Sequence, residues 1–110
     1  MNYQHQNLAQ GRWFKFTLVE QLANIGAEVG RAISWRKKKN KLYARQAFYR
    51  SLELLSLSID DPKNNGRLKE LTRLYEVLVD YFAGENLYDS SDLLWEHYFL
   101  PFNFYSRRSM

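Results

Sequence analysis

The residues best suited to chemistry lie in "SWRKKKNKLYAR", residues 34–45. There Arg36, Lys37, Lys38, Lys39 and Lys41 place five positive charges in six positions. Arg45 follows one helical turn later. Ammonium and guanidinium groups at this density can neutralise phosphates, so the run is a candidate contact surface for RNA or DNA. It can equally be a solvated turn between two helices, neutralised by Glu85, Asp89 and Asp92. The charge around it is uneven. Residues 12–50 carry ten Lys and Arg against Glu20 and Glu28, a balance of +8, whereas residues 51–110 carry six against ten Asp and Glu, a balance of −4. Such asymmetry fits a polyanionic partner, or two halves that neutralise each other on folding.

Other chemistry is sparse. There is no cysteine, hence no thiolate metal site. His5 and His97 are the two histidines. His97 follows Glu96 directly, without the Glu-x-x-His or HExxH spacing that metal sites on helices use. Ser90 and Ser91 precede an apolar run and are expected to cap a helix rather than act with His97 as nucleophile and base. Asp60 with Asp61, and Asp92 with Glu96, fit helix ends better than a cation site. No Gly-rich loop is placed to cradle phosphates. The expectation is therefore a chain that is not an enzyme and has no metal and no cofactor.

Aromatic residues make up 16% of the chain. Many fall in core stripes, but Trp13, Phe14, Phe16, Phe99, Phe102, Phe104 and Tyr105 gather toward the two ends. A small core has difficulty burying them all. Trp13, Phe14, Phe16, Phe102, Phe104 and Tyr105 are therefore expected at an interface between copies, giving a homo-oligomer.

The elements that must position these residues are helices. Residues 1–16 are expected to form a loose tail with an aromatic anchor, and 17–107 a single helical domain. Thr17 and Glu20 have capping-box spacing. Leu18, Leu22, Ile25, Val29 and Ala32 then recur at helical steps, with Arg36 as the exit. Val19, Ala23, Gly26, Gly30 and Ile33 form a second stripe, whose two glycines are expected under a neighbouring helix. Asn40 can cap a second helix to about Asp60, burying Ala44, Ala47, Phe48, Leu52, Leu55 and Ile59. "DDPKNNG" is a turn in which Pro62 disfavours helix before it and Asn65-Gly66 tolerates positive φ. A third helix over about 66–83 turns Leu68, Leu71, Leu74, Leu78 and Phe82 inward and is capped by Gly84. A fourth follows Ser90 or Ser91 and is expected to kink or end at Pro101. Short connections make neighbours antiparallel, so the expected fold is all-α, an antiparallel up-down four-helix bundle. No run of about 18 uncharged apolar residues suits a membrane. The polar start and the lack of cysteine fit a cytoplasmic location.

"LVEQLANIGAEVGRAISWR" and "SLELLSLSIDDPKNNGRLKELTRLYEVLVDYF" resemble short bacterial four-helix-bundle proteins encoded in ribosomal-RNA intervening sequences. They are also similar to the accessory variability determinant of diversity-generating retroelements. The resemblance spans about 17–107 and rests on helix lengths, the Asp-Pro turn and "RLKELTRL". It implies a non-enzymatic accessory bundle that assembles into a ring. It also implies a basic surface for nucleic acid, a ribonucleoprotein or a nucleic-acid enzyme. The alternative kept beside it is a protein-interaction bundle with no nucleic-acid role.

Overall fold

The computed structural model describes the backbone of residues 6–108 and the side chains of 10–105. Five helices, α1 (Gln6–Trp13), α2 (Leu18–Lys37), α3 (Lys41–Asp60), α4 (Leu68–Ala83) and α5 (Asp92–Arg108), pack compactly, and there is no strand among the described residues. The radius of gyration is 13.7 Å, close to the ~13 Å expected of a compact chain of this length.

Local signals start the two longest helices. The Thr17 hydroxyl accepts from Glu20 N at 3.2 Å, and the Glu20 carboxylate accepts from Thr17 N at 2.9 Å, a complete capping box. Asn40 Oδ1 accepts from Tyr43 N at 3.0 Å to open α3. The α2 stripe is buried at Leu22, Ile25, Val29, Ala32 and Ile33. It shares one core with Ala47, Phe48, Leu52 and Leu55 of α3, Leu71, Leu74 and Leu78 of α4, and Trp95 and Phe99 of α5.

Several expectations are corrected. The tail expected over 1–16 is helical from Gln6 to Trp13; residues 1–5, with His5, lie outside the described residues. Trp13 is only 6% exposed and belongs to the core. Its Nε1 donates to Ser58 Oγ at 2.9 Å, while its carbonyl accepts from Gln21 Nε2 at 3.1 Å. A buried polar cluster thus joins α1, α2, α3 and the turn after α3. In that turn, Pro62–Arg67 form a 3-10 segment, so α4 starts at Leu68, which is exposed. Neither Asn65 nor Gly66 has positive φ. Instead Asp61 caps the segment, accepting from Lys63 N at 3.1 Å, and leaves no need for a left-handed residue. Pro101 does not end the chain's last helix, which runs through it to Arg108. Pro101 and His97 are both exposed, so the carbonyl that loses its partner faces water.

The two α2 glycines also separate. A Cβ on Gly26 would lie 2.7 Å from the Phe99 side chain, Cβ included, so Gly26 is where α5 crosses closely. A Cβ on Gly30 would meet nothing within 4 Å. Gly30→Ala should therefore stabilise the fold by about 1 kcal/mol, the helix-propensity difference. Gly26→Ala should destabilise it, because overpacking of ~1–3 kcal/mol exceeds that gain. Urea unfolding of the two variants should shift the midpoint in opposite directions; equal shifts would place Gly30 under a helix after all.

Candidate nucleic-acid interface

The basic run spans the end of α2, a three-residue turn and the start of α3. The turn is closed by two backbone bonds, Lys39 N to Arg36 O at 3.0 Å and Asn40 N to Trp35 O at 2.9 Å. This is the Schellman pattern, in which the residue after the C-cap is left-handed and is usually glycine. Here that residue is Lys39, with φ of 63°. A side chain in this region costs about 1–2 kcal/mol. The molecule keeps a lysine at a position where glycine would fit with less strain.

The six cations do not share one environment. Arg36 turns toward the other helices. Its Nη2 donates to Asp92 Oδ1 at 2.6 Å and to Tyr81 Oη at 2.9 Å. Its guanidinium also lies 4.8 Å from the Tyr81 ring centre and 4.9 Å from that of Phe82. Tyr81 in turn donates to Asp92 at 2.5 Å. Burial and the Asp92 hydrogen bond raise the Tyr81 pKa above its ordinary value, against the opposing pull of Arg36. Arg36 is thus a clamp between α2, α4 and α5. Lys37 lies 3.6 Å from Glu96, with both groups well exposed. Lys38 sits 5.1 Å from the centre of the Trp35 ring.

Among the described residues, Lys38, Lys39, Lys41 and Arg45 form no ion pair, and neither does Arg50. Of the three acids considered as neutralisers, only Asp92 reaches the run; Glu85 and Asp89 pair with none of its cations. The loop carrying those two is folded on itself. The Asp80 carboxylate accepts from Leu87 N and Tyr88 N, and Asn86 exchanges hydrogen bonds with Ser90. Ser91 is the cap, its hydroxyl accepting from Leu94 N at 3.1 Å. His97 is exposed on α5. No group of three or more acids and histidines that could hold a metal ion occurs among the described residues.

The structure adds aromatic residues to the cationic face. Tyr43 packs edge-on against Trp35 at 4.9 Å, and Tyr49 is 58% exposed. Lys41, Arg45 and Tyr49 recur every four residues and form one ridge along α3. That spacing is visible in the sequence, but the density of the preceding lysines outweighs it. Beside the ridge, a groove of about 230 Å³ runs between α3 and α4, lined in part by Lys41, Arg45, Phe48 and Phe82.

The six aromatics expected at an interface also divide. Trp13 is core; Phe14 and Phe102 are half-buried against it. The Phe14 carbonyl accepts from Lys63 Nζ at 3.0 Å. Phe16, edge-on to Trp13, is exposed, as are Phe104 and Tyr105, which pack edge to face on each other. Trp13 and Phe14 thus anchor to α2, α3 and the 3-10 segment, whereas Phe102 packs on Tyr98. No family model matches the chain, and comparisons with curated proteins and with solved structures return no match.

Proposed function

We propose that the chain is a non-enzymatic accessory protein that binds nucleic acid through the cationic α2–α3 end. In this reading α2 to α5 form an antiparallel up-down four-helix bundle, with α1 as an added anchor. The observation that carries it is the run of cations along this end and the start of α3 that lack an acidic partner: Lys38, Lys39, Lys41, Arg45 and Arg50 form no ion pair among the described residues. Lysine at a left-handed position supports the same reading, since locally unfavourable choices tend to gather at functional sites. Interleaved Tyr43 and Tyr49, both exposed, offer stacking faces. The test is a titration of the chain against single-stranded RNA, single-stranded DNA and duplex DNA at two salt concentrations. Salt-sensitive binding supports the reading; no binding to any of them at low ionic strength refutes it.

A second reading, assembly with a protein partner or with copies of itself, is favoured by one other observation. Leu93, Leu94 and Leu100 on α5, and Leu87 just before it, are 58–81% exposed. Such apolar surface is expensive to leave in water. Light scattering at micromolar concentration should give a mass well above the 13.2 kDa of one chain. A mass of one chain would refute self-assembly and leave the cationic face unaffected. No helix among the described residues is long and apolar enough to cross a membrane.

A further inference from the structure

We infer that the groove between α3 and α4 receives one unpaired nucleobase, so that the protein prefers single strands to duplex. This rests on the nucleic-acid reading above and specifies how the contact is made. Four features combine. The floor is aromatic: the Phe48 and Phe82 rings lie 5.1 Å apart and tilted by 32°. The walls are Tyr49, which is largely exposed, and Ala83, which ends α4 with only a methyl group. The rim carries Lys41 and Arg45, one helical turn apart and without acidic partners. Arg36 also lines the groove, its guanidinium 4.9 Å from the Phe82 ring centre and held by Asp92.

Size and chemistry narrow the occupant. Pockets for drug-sized ligands occupy about 300–1,000 Å³. At about 230 Å³ the groove is smaller. That accommodates a single planar ring system rather than a whole cofactor. An aromatic floor favours a flat π-face, and two unpaired cations at the rim favour an anion attached to that ring. A nucleotide within a strand has both parts, with a phosphate on each side of its base. In a duplex the base is held in its stack, and insertion requires unstacking and unpairing at a cost of a few kcal/mol. Stacking on protein aromatics is also tolerant of base identity, so the groove selects an unpaired base rather than a sequence.

The experiment compares a short oligothymidine, the same strand with a central run of abasic nucleotides, and a duplex of equal length, by fluorescence anisotropy. Abasic nucleotides keep the phosphates and remove the rings. The intact strand should bind about tenfold more tightly than the abasic strand, with the same dependence on salt. Ala83→Trp fills the groove from an exposed position, so the fold should be retained, as circular dichroism will report. This variant should lose about tenfold in affinity for the intact strand and little for the abasic strand or the duplex. Tyr49→Ser should act in the same direction. If intact and abasic strands bind alike while binding remains salt-sensitive, the base site is wrong and the cationic face stands. If Ala83→Trp folds and binds every strand like the wild type, the base site is likewise wrong. If no strand binds at any salt concentration, both readings fail.

Discussion

Asp61→Ala should destabilise the fold by about 2–3 kcal/mol and lower the melting temperature by roughly 10–15 °C. Asp61 is 3% exposed, yet its carboxylate has three kinds of donor. Gln21 Nε2 donates at 2.9 Å, Lys63 N at 3.1 Å, and the Lys63 ammonium at very short range. The network continues through Asn64, whose Nδ2 donates to Gln21 Oε1 and to the Ser58 carbonyl, both at 2.9 Å. Ser58 accepts from Trp13. Removing the carboxylate leaves the buried Gln21 without one acceptor and strands a lysine drawn into the turn. Breaking a fully buried ion pair costs about 3–5 kcal/mol. The Lys63 side chain is 38% exposed, so water recovers part of that loss and the lower figure applies.

Acid should have the same effect as the mutation. Burial alone would raise the Asp61 pKa, but the hydrogen bonds from Lys63 and Gln21 outweigh it and hold it below its ordinary value. A carboxylate whose folded pKa is depressed stabilises fully above its unfolded value, about 3.9, and loses that stabilisation as pH falls through the folded pKa. The stability gap between wild type and Asp61→Asn should therefore be widest near neutral pH and shrink steadily below about pH 4. A gap independent of pH would mean that the carboxylate's charge does not hold this corner together.

If Lys38, Lys39, Lys41, Arg45 and Arg50 each contact a phosphate, as proposed above, the log–log salt slope should be roughly −3.5 on single strands and −4.5 on duplex DNA. A fourfold rise in salt should then weaken binding about 100- to 500-fold. The triple variant Lys39→Gln, Lys41→Gln, Arg45→Gln should flatten the slope by about two units on single strands, with the fold retained, because all three residues are exposed. The loss should be similar across sequences, since phosphate contacts carry no base information. Arg36→Gln should behave differently. It leaves Asp92 and Tyr81 without their cation, so stability should fall while the slope changes by less than one unit. An unchanged slope in the triple variant would make the run a solvated turn.

Features that depend on neighbours three or four residues away are legible in the order of residues. The capping box at Thr17 and Glu20, the Asn40 cap, a cap at Ser90 or Ser91 and the α2 stripe are all of this kind, and each is present, the last cap at Ser91. Such features are set by backbone geometry within one turn, so the order of residues is enough to specify them. What lies across a helix depends on how distant segments pack. Gly26 and Gly30 share a stripe, yet only Gly26 lies beneath Phe99, because α5 crosses at one point. Trp13 is part of an aromatic cluster in the sequence, but the Ser58 hydroxyl and the Gln21 amide draw it into the core. Arg36 cannot be distinguished from Lys37, Lys38 and Lys39 by spacing, but it alone is paired with Tyr81 and Asp92, from α4 and α5. The groove beside Lys41 and Arg45 has walls from residues more than thirty positions apart. The charge of each side chain is written in the chain, but whether a charge meets an acid, an aromatic ring or water depends on which distant helix packs against it.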